Sequence, residues 1–188
     1  GETFVPGLAE PIRWHANDDD SVNTFTVQYS TNDGATWTNI NNNVPATTRK
    51  ITWVPANVPT TTARIRITRN NTGISGMSNG PFTILGIPTV TATPACPGYV
   101  QLTWTAVPSA TGYEVLQVRN SKFEVIASTT ATNYLVSGLS TDSVYYFSVQ
   151  PLLGTVRGRP ALARSATPNT GPCADAAFDN DLALDSLA

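Results

Sequence analysis

The sequence predicts an all-β protein made of two tandem antiparallel β-sandwiches. Apolar and polar residues alternate through residues 25–29, 113–118 and 145–149, and this period-two pattern is typical of half-buried strands. Turn signals such as Asp33-Gly34 and Gly112 separate the alternating segments. Charged residues make up only 13% of the 188-residue chain. Uncharged polar and β-branched residues, which favour exposed β faces and turns over helix surfaces, take their place.

The first predicted domain covers residues 1–86. Its predicted strands contain, in order, Ile12 and Trp14; Phe25, Val27 and Tyr29; Ile51 and Trp53; Ala63, Ile65 and Ile67; and Phe82 and Ile84. Asp33-Gly34 predicts a hairpin after the second strand, because both residues tolerate the positive φ that a tight reversal needs. Residues 85–88, which end in Pro88, predict a short linker of limited freedom and therefore a semi-rigid rod.

The second predicted domain covers residues 87–168. Its strands are expected around Val90 and within residues 100–104, 113–118, 123–127, 134–136, 144–149 and 164–166. Residues 169–188 differ in composition, because they carry four aspartates and a pattern of leucines that partly fits a strand. We expect this acidic tail to be the start of a further module or a strand exchanged with another chain.

The second half resembles the fibronectin type III domain. The resemblance is carried by Trp104, Tyr113 and Val115, Leu139, and the run Tyr145-x-Phe147-x-Val149. It implies structural roles for Trp104, Tyr113, Leu139 and Tyr145. It also implies that Tyr145 occupies the tyrosine-corner position, where its hydroxyl would bond the backbone near Leu139.

The first half resembles the Ig-like or fibronectin-like modules of large secreted bacterial proteins. The matching residues are Tyr29, Ser30, Gly34 and Trp37 in the hairpin, Trp53 with Pro55 and Pro59, and residues 63–67. The hairpin also resembles an Asp-box, with Asn32 in place of the aspartate. That motif is a structural turn in its own families, so it supports a β fold and not glycosidase activity.

The chain has two cysteines, Cys96 and Cys173. The first and last strands of a sandwich run in the same direction, so both cysteines should lie at the same pole of the second domain. We therefore predict a disulfide, which would stabilise the domain by about 4 kcal/mol and would indicate an oxidising compartment. Two free thiols are the alternative. The sequence has no Cys-x-x-Cys and one histidine, so it does not favour a zinc or redox role.

Asp18, Asp19 and Asp20 form the one candidate metal site in the sequence. Clustered carboxylates can hold Ca²⁺, although their spacing does not match an EF-hand loop, and a solvated turn is the alternative. His15 and Ser21 flank this cluster, but no Gly-x-Ser-x-Gly elbow accompanies them. The sequence therefore predicts no catalytic residue, no cofactor and no resident metal other than this calcium candidate.

Ser21, Ser143 and Ser186 each follow an aspartate and precede an apolar residue. These triplets resemble a bacterial periplasmic O-glycosylation signal. The net charge of −2 offers no basic patch for nucleic acid, and no run is apolar enough to cross a bilayer.

These features together predict a non-catalytic structural or adhesive spacer, located outside the cell or at its surface, in an exported bacterial multidomain protein. Its partners would be neighbouring domains of the same polypeptide, other protein subunits or surface glycans. Two alternatives stay open. The chain could be a subunit of an extracellular filament joined by strand addition, or a carbohydrate-binding accessory module of a secreted hydrolase. The chain also begins without an initiator methionine, so we expect a processed protein or a piece of a longer one.

Overall fold

A computed structural model describes residues 2–16 and 23–171 of the chain. These residues contain strands and turns and no α-helix. The strands of the first half are β1 (Thr3–Phe4), β2 (Glu10–Arg13), β3 (Thr24–Ser30), β4 (Thr38–Pro45), β5 (Lys50–Trp53), β6 (Thr60–Arg69), β7 (Ser75–Met77) and β8 (Phe82–Ile84).

The first sandwich packs a large sheet against a small one. The large sheet has the order β1-β8-β6-β3-β4, and β7 pairs with β6 beyond the end of β8. The small sheet is formed, as far as the described residues go, by β2 and β5. Strand β1 runs parallel to β8, with Thr3 opposite Thr83, whereas the other pairs are antiparallel. The two sheets enclose a core of Ile12, Phe25, Val27, Val44, Ala46, Trp53, Ala63, Phe82 and Ile84.

The second half adds eight more strands to the described part of the chain. They are β9 (Val90–Pro94), β10 (Val100–Trp104), β11 (Gly112–Arg119), β12 (Lys122–Thr129), β13 (Asn133–Val136), β14 (Tyr145–Leu153), β15 (Val156–Arg157) and β16 (Arg164–Ala166). One sheet has the order β13-β10-β9, and the other has β12-β11-β14-β15 with β16 also on β14.

The second sandwich has its own core, separate from the first. Its buried members are Leu85, Val90, Val100, Leu102, Trp104, Val107, Tyr113, Val115, Val136, Phe147, Val149, Ala161 and Ala166. The alternation in β10 explains the burial, because Val100, Leu102 and Trp104 face the core while the residues between them do not. Two β-sandwiches with separate cores confirm the fold class predicted from the sequence.

The hairpin after β3 forms as its sequence predicts. Asp33 and Gly34 have φ angles of 55° and 89°. The buried Ser30 hydroxyl accepts a hydrogen bond from the Gly34 amide at 2.9 Å. The Asn32 side-chain oxygen accepts the Thr36 amide at 2.9 Å. Asn32 therefore supplies the acceptor that an aspartate would supply in an Asp-box.

Candidate functional site: a packed joint and an open sheet edge

Two features of the described residues are candidates for a functional role. The first is the joint between the sandwiches, and the second is an unpaired edge of the first sandwich.

The joint begins where β8 passes into the linker. Ile84 and Leu85 are adjacent and both have no exposed surface, yet Ile84 belongs to the first core and Leu85 to the second. The Leu85 amide donates to the Phe4 carbonyl at 3.1 Å, which ties the linker to β1. The linker is therefore packed into both sandwiches rather than suspended between them.

Residues 157–159 of the second sandwich approach the first sandwich at the joint. The Arg159 guanidinium lies 3.1 Å from the Glu10 carboxylate, and the Thr3 hydroxyl donates to the Arg157 carbonyl at 3.4 Å. Gly158 lies so close to the linker that a Cβ there would be 3.0 Å from a Leu85 methyl and 2.8 Å from Pro151 Cγ. A glycine is required at this position because any larger residue would push the segment away from Leu85.

Arg157 also forms a bidentate ion pair within the second sandwich. Its guanidinium donates two hydrogen bonds of 2.7 Å to the two oxygens of Glu114. These hydrogen bonds hold the pKa of the Glu114 carboxyl below its ordinary value, although burial of the carboxyl acts in the opposite direction. The pair supports β15 beside the joint.

The second feature is the open edge of β2. On one side β2 pairs with β5, and on the other side it has no partner strand among the described residues. In the second sandwich the equivalent strand, β10, pairs with β13 on one side and with β9 on the other. The part of the first sandwich that the structure describes has no counterpart of β9, because β1 pairs with β8 in the opposite sheet instead.

The hydrogen-bonding groups of this open edge follow from the register. The Trp14 amide donates to the Arg49 carbonyl at 3.2 Å, and Arg13 lies opposite Lys50. Backbone groups of alternate residues point to opposite sides of an antiparallel strand. The carbonyl of Pro11 and both backbone groups of Arg13 therefore point away from β5, towards the position that a third strand would occupy.

A groove of about 840 Å³ runs along this edge. It lies between β2 on one side and β6 and β7 on the other, and its floor includes Ile12, Trp14 and Phe25. Met77 on the β7 wall is 58% exposed, and Ile74 just before β7 is 70% exposed. Within the described part of the chain, the buried indole nitrogen of Trp14 has no hydrogen-bond partner. Sequence analysis did not foresee this groove.

The predicted site residues fall into different parts of the structure. His15 is exposed at the rim of the groove, and Ser143 is exposed in the turn before β14. Asp18, Asp19, Asp20, Ser21, Cys173 and Ser186 lie outside the described residues. Among the residues that are described, no group of histidine, cysteine and carboxylate side chains is arranged to hold a metal ion.

The residues predicted to be structural lie in or beside the second core. Trp104 and Tyr113 are buried with their rings 5.5 Å apart, and Leu139 packs against the core from outside. The Tyr145 hydroxyl accepts a hydrogen bond from the Ser140 amide at 2.9 Å, next to Leu139.

Sequence analysis missed a second tyrosine contact of the same kind. The Tyr113 hydroxyl accepts the Val107 amide at 2.8 Å in a buried position. The Pro-Ser-Ala-Thr-Gly turn before β11 was the available signal, because a Tyr that follows such a turn can reach back to the backbone preceding it.

The tryptophan rings of the first sandwich are in contact with other side chains. Trp53 is buried and contacts Phe4, Tyr29 and Phe82. Trp14 packs edge-on against Phe25 at 6.0 Å. The Arg66 guanidinium covers one face of Trp37, 4.2 Å from the ring centre. These tryptophans serve packing rather than forming a row of exposed rings on one face.

No protein-family model matches the chain, and no curated protein matches it. Solved structures of fibronectin type III domains are similar to it. A two-domain fibronectin type III segment from chicken tenascin is 12% identical with a TM-score of 0.51, covering 86% of this chain and 93% of that one. A Fn3-like protein from Clostridium thermocellum is 26% identical with a TM-score of 0.40, covering 45% of this chain and 94% of that one.

The tenascin segment is matched along both sandwiches. The chain therefore has the fold of two fibronectin type III domains in tandem, in agreement with the resemblance that the motifs of the second half carry. This likeness shows the fold alone, and the features of the chain that bear on function are the joint and the open edge.

Proposed function

We propose that this chain is a non-catalytic structural or adhesive spacer that holds neighbouring domains of one polypeptide at a set separation outside the cell. The observation that carries the proposal is the packed joint. A linker residue buried in the second core, an ion pair and a hydrogen bond connect the two sandwiches. A joint with these contacts resists bending, whereas a polar linker alone would leave the domains to move independently.

Two further considerations support the location and the absence of catalysis. Fibronectin type III folds occur commonly in extracellular proteins and generally lack catalytic sites, and function in such folds depends on surface features. No helix in the described residues is long and apolar enough to cross a membrane. The motifs of the first half, which are similar to those of large secreted bacterial proteins, support an exported bacterial parent with further domains or surface glycans as partners.

Small-angle X-ray scattering tests the spacer function. The wild-type chain should give a pair-distance distribution that matches one fixed arrangement of the two sandwiches. A variant with Gly-Ser-Gly-Ser inserted between Gly86 and Ile87 keeps both sandwiches and loosens the joint, so its distribution should broaden. A wild-type distribution as broad as that of the insertion variant would argue against a spacer.

We also propose the Cys96–Cys173 disulfide as part of this design. Asn169, close to the end of the described residues, donates to the Ala95 carbonyl at 3.0 Å. This contact brings the chain leaving β16 to the residue beside Cys96, as a bridge requires. Peptide mapping without reductant should recover the two cysteines in one linked fragment. Reduction should lower the stability of the second sandwich by about 4 kcal/mol on the loop-entropy model. Recovery of both cysteines as alkylated thiols would refute the bridge.

A further inference from the structure

We propose that the groove along β2 receives the acidic tail, residues 172–188, of a second copy of this chain as an added β-strand. The inference goes beyond the spacer function, because it gives the chain a way to assemble head to tail. In the second sandwich β9 covers the edge of β10, whereas the equivalent edge of β2 has no partner strand within residues 2–16 and 23–171.

The groove presents what an incoming strand needs. The carbonyl of Pro11 and both backbone groups of Arg13 face it and can bond a neighbouring strand. Its floor is apolar, and the exposed side chain of Met77 and the buried indole nitrogen of Trp14 lie along it. A strand placed there would cover the apolar wall and bring backbone carbonyls near the Trp14 indole.

The tail has the matching sequence pattern. Phe178, Leu182 and Leu184 occupy even positions, whereas Asp179, Asp181 and Asp185 occupy odd ones. In an extended strand the two sets would face opposite sides. The apolar set suits the floor of the groove. The acidic set would lie on the outer face, where the exposed side chain of Arg13 also lies.

The position of the tail favours a second copy over the tail's own molecule. The contact between Asn169 and Ala95 places residue 169, three residues before the tail, at the end of β9 that is remote from the joint. The groove lies on the other sandwich, on the far side of the joint. The groove begins beside Glu10 at the joint and runs along β2 of the first sandwich. A tail from the remote pole of one second sandwich and a groove on the first sandwich of another copy would make a heterologous contact, which repeats into a chain of subunits.

Sedimentation velocity on the 188-residue protein tests the proposal. A contact made by one added strand buries little surface and should be weak, with a Kd of about micromolar to millimolar order. The protein should therefore be studied from about 5 to 500 μM. The wild type should form dimers and longer species as concentration rises. Replacing both Leu182 and Leu184 by Asp should weaken association at least about tenfold. Leu187→Asp, which changes a leucine on the acidic face, should leave association unchanged.

A second pair of variants tests the groove itself. Met77→Glu places a charge on an exposed groove wall and should weaken association as strongly as the tail variant. Leu162→Glu places the same charge on a leucine that is 74% exposed and lies outside the groove, and it should not weaken association. A synthetic peptide of residues 174–188 should bind the Leu182/Leu184 variant and compete with wild-type association.

Three results would overturn the proposal. The first is a monomer at every concentration together with no binding of the peptide. The second is an oligomer that neither the tail variant nor Met77→Glu weakens, which would place the interface elsewhere. The third is a monomer whose tail amides are protected from hydrogen exchange, which would place the tail in the groove of its own molecule.

Discussion

Replacing Leu85 by Ala should destabilise the second sandwich even though Leu85 follows directly on the last strand of the first. Leu85 has no exposed surface and lies in the second core, where Gly158 packs against one of its methyl groups. Truncation of a fully buried leucine lowers the free energy of unfolding by about 2–5 kcal/mol, because less apolar surface is buried on folding and a cavity is left behind. For a domain of this size, a loss of about 3 kcal/mol corresponds to a fall in Tm of roughly 12–24 °C.

Calorimetry of the full chain measures this loss, and amide hydrogen exchange assigns it to one sandwich. Faster exchange should be confined mainly to β9–β16. Ile87→Ala is the matched control, because Ile87 lies two residues further along the linker and is 41% exposed. We expect it to cost less than about 0.5 kcal/mol. A loss below about 1 kcal/mol for Leu85→Ala, or faster exchange in the first sandwich alone, would refute the packing of the linker into the second core.

Three further predictions concern single contacts. Tyr113→Phe should lower the free energy of unfolding by about 1–3 kcal/mol, because it leaves a buried backbone amide without an acceptor. Tyr145→Phe removes a less buried hydroxyl and should lower it by about 1 kcal/mol or less. Urea unfolding ranks the two variants, and the reverse order would contradict this prediction. Gly34→Ala should cost about 1–2 kcal/mol, because φ is 89° and the new Cβ would lie 3.2 Å from the Trp37 ring; an unchanged urea midpoint would count against it. The pKa of Glu114 is lowered in the folded state, so its carboxylate stabilises the fold at pH values above the ordinary pKa of 4.5. This stabilisation is lost as the pH falls through the folded-state pKa. Glu114→Gln should therefore be less stable than wild type at pH 7, by no more than about 1 kcal/mol because the Arg157 side chain is 63% exposed, and the difference should shrink at pH 3; a constant difference would argue against the ion pair.

The sequence pattern predicted the strands whose side chains alternate between core and solvent. Strands β10 and β16 match residues 100–104 and 164–166 as predicted. Strand β14 was predicted to end at Val149 but continues to Leu153, through Pro151. A proline normally argues against a strand interior. Here its missing N–H costs nothing to the β11 ladder, because the Pro151 carbonyl accepts the Gly158 amide and the backbone of this residue therefore points away from β11.

Strand β4 shows why some elements could not be predicted. It contains a run of asparagines, which have low β propensity, and it lies at the edge of its sheet where few side chains need to be buried. Its pairing with β3 and the hydrogen bond between Gln28 and Asn39 place it there. Strands β1, β7 and β15 are two or three residues long, too short for any periodicity to register.

The candidate sites could be predicted less well than the fold. The linker was recognisable from Pro88, but the burial of Leu85 in the second core depends on Gly158, more than seventy residues away in sequence. The open edge depends on β1 pairing with β8 rather than with β2. A few apolar residues near the start of the chain are compatible with either pairing, so the sequence alone did not distinguish them.

Residual dipolar couplings of backbone amides, measured by NMR in a weakly aligned sample, test the central claim most directly. That claim is that the two sandwiches form one body through the packed joint. Couplings from β1–β8 and from β9–β16 should then fit a single alignment tensor, with the same magnitude and the same axes in the frame of the structure. Two tensors that differ in magnitude would show that the sandwiches reorient independently, and would contradict the account.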